Sequence, residues 1–434
     1  MNDRQADVAT STLKPPTRRP RFLWLLFTCL ALLLVGGGTA RALLVAQAQT
    51  AVPVDYKGPF VVPPLSPEQI NALEHLPEKL RAKQLAQLYV SHMSLDEKLG
   101  QLIMAQSLTY NNSANTPDTM YMFNQLHAGG LIMYAIQMNT LNQAKSDIQQ
   151  MQQNASIPLL VSTDEEGGEV ERVWKIFGHH PGAMQIYETG DVNKATQLGQ
   201  EIASDLRVLG INTDLAPDVD VLQVQNASSY MDTRTWGDTP QSVIAYGGAY
   251  LRAVQGAGEI GALKHFPGLG AATTDAHYSL PVINSTKEHI YAVDLAPYQA
   301  LLSSSNPLDN PGMIMTTDLM MPALDPNLPA ELSPTIITGI LRNQLHYDGV
   351  VVTDALWMDG IAQKWNLVQA SIMALNAGCD MLLGAIGSQQ MEMVLHGLKM
   401  ALADGQISLD RVNQAATRII ALKYQYHLLP LPRY

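Results

Sequence analysis

Asp275 and His277 stand two residues apart in a loop of small side chains, a spacing that lets the carboxylate bond the imidazole if the loop curls. A carboxylate on one ring nitrogen fixes the tautomer and raises the basicity of the other, as a general acid/base needs. The stretch leading into that loop, Lys264-His265-Phe266-Pro267-Gly268, sets a cation and a second imidazole at the end of a short apolar run. Gly268, Gly270, Ala271 and Ala272 leave the backbone free to bend, which reads as a loop able to swing. An isolated Asp-x-His is more often a solvated turn, but this one has company. Polar groups recur directly after other apolar runs: Asp164-Glu165-Glu166, then Asp218 and Asp220, then Asp318 and Asp354. Singly, each could be a helix N-cap or a structural ion pair. Gathered on one face, they read as a site.

The elements that must hold these groups alternate along the chain. Short apolar runs occur at 102–105, 130–134, 158–162, 211–216, 261–264, 313–316, 349–353 and 380–383. Amphipathic helices lie between them. Ala195, Leu198, Ile202, Leu206 and Leu209 share one helical face, and Gly210 supplies the stop. Thr239-Pro240 starts another helix, with Val243, Tyr246, Gly247, Tyr250, Leu251 and Val254 along its stripe. Ser94-Leu95-Asp96-Glu97 is a capping box. This count predicts an α/β fold, a TIM-type (β/α)₈ barrel forming a single catalytic domain, with its chemistry at the C-terminal strand ends. A doubly wound sheet is the alternative, but no glycine-rich phosphate turn accompanies the strands.

The chain has 434 residues, 47% hydrophobic and 15% charged, which is a globular composition. Its formal charge of −12 argues against nucleic acid and anionic membrane surfaces as partners. Cys29 and Cys379 are the two cysteines, too few for a disulfide framework or a cysteine metal site. Residues 1–21 are basic, ending in Arg18, Arg19 and Arg21, and 22–40 are apolar and uncharged. That pattern predicts an exported protein, either anchored through 22–40 or released after a small-x-small site such as Ala46-Gln47-Ala48. A Pro-rich linker at 41–66 then leads to the catalytic domain at 67–434.

Several stretches, in order, resemble glycoside hydrolase family 3, and within it the single-domain β-N-acetylglucosaminidases. They are Met93-Ser94-Leu95-Asp96-Glu97-Lys98, Thr163-Asp164-Glu165-Glu166-Gly167-Gly168-Glu169-Val170-Glu171-Arg172, Ala216-Pro217-Asp218-Val219-Asp220-Val221 and Arg234-Thr235-Trp236-Gly237. The Lys264–Gly268 stretch, Asp275-Ala276-His277 and Gly349-Val350-Val351-Val352-Thr353-Asp354-Ala355-Leu356 complete the set. The resemblance implies a retaining hydrolase of terminal β-linked N-acetylglucosamine, acting on cell-wall or chitin-type fragments. It makes Asp354 the nucleophile and His277, oriented by Asp275, the acid/base. Asp164, Arg172, Arg234, Lys264 and His265 become the grip on the terminal sugar's hydroxyls. A His–Asp pair departs from the two-carboxylate arrangement of most glycosidases. An imidazole base repels anions less than a carboxylate does, so phosphorolysis is a variant of the reading.

Two departures from the family pattern stand out. The usual P-G-H-G-D reads Pro267-Gly268-Leu269-Gly270-Ala271 here, and Asp318 replaces a common histidine after strand six. Alternatives are a β-glucosidase or other β-glycosidase of the same family, and a catalytically silent glycan-binding protein. The family's β-glucosidases generally take their acid/base from a second domain, and a binder needs no nucleophile. The expected partner is an oligosaccharide, with membrane contact through the N-terminal segment alone, a monomeric state, and no cofactor or metal. His179-His180 lacks a third ligand at metal spacing. Trp236 could stack on a sugar or pack in the core.

Overall fold

The computed structural model describes residues 65–108, 113–224 and 231–430. The basic start, the apolar segment and almost all of the linker lie outside them. Ser66 caps the first described helix, Pro67–Glu74, where the catalytic domain was expected to open. Among the described residues no helix is long and apolar enough to cross a membrane.

Eight parallel strands close into a barrel in chain order. They are β1 (Ile103–Gln106), β2 (Gly130–Ile132), β3 (Leu160–Thr163), β4 (Thr213–Asp214), β5 (Ile260–Phe266), β6 (Met313–Thr316), β7 (Val350–Ala355) and β8 (Met381–Ile386). Each overlaps one of the eight apolar runs. Strands covered on both faces need apolar residues throughout, so they appear as runs and not as alternation. The helices begin and end where local chemistry placed them. Ser94 and Glu97 form the reciprocal cap of Leu95–Gln101, Thr239 caps Pro240–Gly256, and Gly210 ends Asn193–Leu209 at φ 88°. Each side-chain cap is worth about 1 kcal/mol.

The two ends of the barrel use charge differently. At the start of β8, fully buried Asp380 is ringed by Arg342 at 2.5 Å, Arg411 at 2.8 Å and Arg418 at 3.2 Å. Burial works against its charge, but the guanidinium groups prevail and hold Asp380 below the usual carboxylate range. This cluster is structural. Removing one partner of such a buried group costs about 3–5 kcal/mol.

At the other end the strands become irregular, and the irregularity aims side chains. The β5–β6 register shifts between Leu263 and Phe266, at Lys264 and His265. The β7–β8 register shifts between Val352 and Ala355, at Asp354. Extra residues at such bulges redirect side chains, which is why bulges recur beside active sites. After β4 the chain continues along β5, with Val219 N–H on Lys264 O at 2.7 Å and Asp218 bridging Lys264.

Candidate active site

A compact ionic network fills the C-terminal mouth of β3 to β5. Lys264 Nζ lies 2.9 Å from Asp164 Oδ1 and 2.6 Å from Glu166 Oε1. Arg234 grips Glu166 through two parallel bonds, Nε to Oε2 and Nη2 to Oε1, both 2.8 Å. Arg172 Nη2 stands 3.9 Å from Asp164, and its Nε has no partner among the described residues. His265 Nδ1 is 2.8 Å from Asp220 Oδ2, and Arg234 Nη2 approaches His265 Nε2 at 3.4 Å. A guanidinium can only donate, so Nε2 accepts and Nδ1 carries the proton given to Asp220. The five residues expected to grip the sugar are therefore one connected group.

Burial opposes every charge here, and pairing decides which survive. It pushes Glu166 and Asp164 upward, but the cations outweigh it and both sit below ordinary carboxylate values. Lys264 and Arg234, desolvated yet ringed by anions, are held above their usual values. Burial prevails at His265, whose pKa falls to about 4 despite Asp218 nearby, so the ring is neutral near pH 7. The result is a fixed set of charged donors and acceptors around one neutral imidazole. Vicinal hydroxyls are matched by such a set, because Arg and Lys donate several bonds and a carboxylate accepts two.

Asp354 lies across the mouth at the end of β7, close enough for its charge to act on His265 and Tyr134. Its Oδ1 accepts the Ala355 N–H at 2.8 Å, and Oδ2 accepts nothing among the described residues. Asp275 and His277 form the expected dyad, Oδ1 to Nδ1 at 2.7 Å, with Oδ1 also accepting the His277 N–H at 2.9 Å. They bond to no member of the network. The His277 side chain is 53% exposed, so the dyad sits at the rim.

The loop carrying the dyad is packed where it leaves β5. A Cβ on Gly270 would fall 1.9 Å from Val221 O, and one on Gly268 would meet Asp294. Leu269 and Ala272 are buried. The glycines that read as freedom to swing serve close approach instead. Further on, Ala276 O accepts the Gly360 N–H at 3.3 Å and Ile283 N–H bonds Met320 O at 2.9 Å. These contacts dock the loop on the segments following β6 and β7.

Some groups have other fates. Trp236 is 1% exposed, stacks with Tyr246 and packs at a tilt against Tyr250, so it is core and not a sugar platform. The fold brings Glu165, Glu171 and Asp205 to His180 from distant positions. Its Nδ1 and Nε2 lie 3.2 Å from Glu165 and Asp205. Burial lowers the His180 pKa, but these carboxylates raise it to about 9. Each ring nitrogen of His180 thus faces a carboxylate in a buried acid–imidazole cluster that includes Glu171. Sequence reasoning missed Gln106 and Tyr134, joined at 3.1 Å, and Trp357, whose Nε1 donates to Gln106 at 2.9 Å. Gln106 is the last residue of β1, and Tyr134 and Trp357 lie just past β2 and β7, the same signal that located the others.

Comparison with known proteins places this arrangement. Beta-hexosaminidase A of Pseudoalteromonas piscicida is 33% identical over 335 residues, covering 71% of this chain and 55% of the relative. Beta-hexosaminidase LpqI of Mycobacterium tuberculosis is 29% identical, covering 76% of this chain and 83% of the relative. The structure of a family 3 β-N-acetylglucosaminidase from Paenibacillus sp. superposes with a TM-score of 0.73 at 32% identity, covering 77% of this chain and 63% of that one. This chain thus spans little more than half the length of the Pseudoalteromonas protein. The profile described as Glycosyl hydrolase family 3 N terminal domain matches residues 94–422, nearly the whole barrel. Barrel, strand-end network and sequence all agree: the chain belongs to glycoside hydrolase family 3.

Proposed function

We propose that this protein is an exported, retaining β-N-acetylglucosaminidase that removes terminal non-reducing β-linked N-acetylglucosamine from cell-wall or chitin-type oligosaccharides. The observation that carries the reading is the charged network of Asp164, Arg172, Arg234 and Lys264, with neutral His265, at the same barrel mouth as Asp354. Such a network holds the non-reacting hydroxyls of one terminal sugar. Binding energy gained there can be used to distort the ring toward the oxocarbenium-like transition state. Asp354 then attacks the anomeric carbon while His277 protonates the departing oxygen, leaving a glycosyl ester and a neutral imidazole. In the second step the imidazole takes a proton from water, which displaces the carboxylate. Relatives bearing the name beta-hexosaminidase support the N-acetylated glycon.

A panel of p-nitrophenyl β-glycosides tests the substrate. The N-acetyl-β-glucosaminide should exceed the β-glucoside in kcat/KM by at least about tenfold, a ratio within reach of one recognised substituent. A preference for the glucoside would sink the glycon assignment. Sugar 1-phosphate formed when phosphate is added would change the acceptor from water to phosphate.

Export rests on the arginine-flanked apolar stretch at 22–40. Fractionated cells should hold the protein in the membrane or outside it, and removing residues 1–48 should leave a soluble, active enzyme. Recovery of the full-length chain in the cytosol alone would refute export.

A further inference from the structure

Two carboxyl groups lie behind Asp354, and no cationic side chain among the described residues is paired with either. Asp318, just past β6, and Glu331, in the Ala330–Leu332 turn, are both fully buried. Both oxygens of Asp318 and Glu331 Oε1 have no conventional donor among the described residues. Glu331 Oε2 accepts the backbone N–H of Asp354 at 3.2 Å, where the β7 bulge has freed that N–H from the strand ladder. The Ala330 N–H on Leu319 O at 2.7 Å brings their two segments together, and the other titratable groups acting on them are Asp354 of β7 and buried Cys379 before β8. Two buried carboxyl groups that act on each other and pair with no cationic side chain cannot both be ionised, so at least one proton is held between them.

Asp318 also reaches the dyad's anchor. A Cβ on Gly360 would lie 2.9 Å from Asp318 Oδ2 and 3.2 Å from Ala276 O, and it is Gly360 N–H that holds Ala276 O. The pair thus lies between the strand end bearing Asp354 and the docking point of the Asp275–His277 loop.

We propose that Asp318 and Glu331 share at least one proton and act as a single positioning unit, holding the Asp354 backbone on one side and lying against the docked dyad loop on the other. The positioning half rests on the reading of Asp354 and His277 given above. Neither carboxyl touches substrate. Burial raises both groups, Glu331 to about 8 and Asp318 well above the carboxylate range. Because both folded values are raised, the unit keeps its protons through the ordinary carboxylate range and begins to lose them as pH climbs through about 8. Beyond that point an ionised Glu331, held on the Asp354 backbone N–H, is repelled by the Asp354 carboxylate.

The test uses Glu331→Gln, Asp318→Asn and Glu331→Ala in the full-length protein. Infrared difference spectra at pH 6 without substrate should show one protonated carboxyl band lost in each of Glu331→Gln and Asp318→Asn. Wild-type kcat should fall as pH rises through about 8, and Glu331→Gln should lose this alkaline limb while staying within about threefold at pH 6. Glu331→Ala, which strips the acceptor from the Asp354 N–H, should lower kcat by more than about tenfold with KM changed far less. Retention of the carboxyl band in both amide variants overturns the shared proton. An unchanged alkaline limb in Glu331→Gln overturns the positioning role. The band reads the proton independently of Asp354, so a fluorosugar label on another residue, with the band present, overturns the positioning half alone.

Discussion

Asp354→Asn is expected to lower turnover on the order of 10⁴-fold, as removal of a covalent nucleophile does in other enzymes. One oxygen of the side chain is left open: Oδ1 is occupied by the Ala355 N–H and Oδ2 accepts nothing from the described residues. Asn keeps the Oδ1 contact and the volume but cannot form an ester. The strand is not otherwise disturbed, since Thr353 and Ala355 hold β7 on β8. Binding should survive, because the network around Lys264 and Arg234 is untouched, so the loss should fall on kcat. A 5-fluoro N-acetylglucosaminyl donor, whose fluorine slows formation and breakdown of the intermediate, should add one sugar mass to the peptide containing Thr353-Asp354. A label elsewhere would displace Asp354 from this role. Full turnover with no label at all would point to the substrate's own acetamide as the nucleophile.

Loss of His277 should cost about 10²- to 10³-fold on a natural disaccharide and about tenfold less on an activated aryl glycoside, whose leaving group departs with little protonation. Asp275 holds Nδ1 at 2.7 Å, and under the proposed mechanism it acts only through His277 by stabilising the imidazolium. Once His277 is alanine, changing Asp275 as well should add little, giving a strongly non-additive cycle. Measuring kcat/KM for both singles and the double on the two substrates decides it. Additive losses, or equal losses on both substrates, would mean that another group is the acid/base. Glu165 and Glu166 are poor replacements. Glu165 accepts the N–H groups of Arg172 and Val173 and faces His180, while Glu166 is locked between Arg234 and Lys264. Glu166 cannot shed its partners without leaving Arg234 and Lys264 short of a counter-charge, and Glu165 cannot leave without stripping the acceptor from two backbone N–H groups.

The features legible in the sequence are those that depend on neighbours along the chain. Helix caps at Ser94 and Thr239, the stop at Gly210 and the eight apolar runs are local, and each reappears in the fold. The curl of Asp275 onto His277 is local too, a two-residue reach. The resemblance to family 3 added the selection of Asp164, Arg172, Arg234, Lys264 and His265, which the structure joins in one network.

Tertiary structure alone decided the rest, because it depends on groups far apart in sequence meeting where water is excluded. Trp236 resolved to core once Tyr246 and Tyr250 closed over it. His180 gained carboxylate partners from three places, and its charge follows from them. Glu331 gave no signal, since it lies in a short turn away from any strand end. Its importance comes from lying against Asp318 and the freed N–H of Asp354. The bulges that aim Lys264, His265 and Asp354 are register shifts between strands, and register belongs to the pair of strands. A sequence states which side chains are available; desolvation and non-local pairing decide which of them carry charge, and toward what.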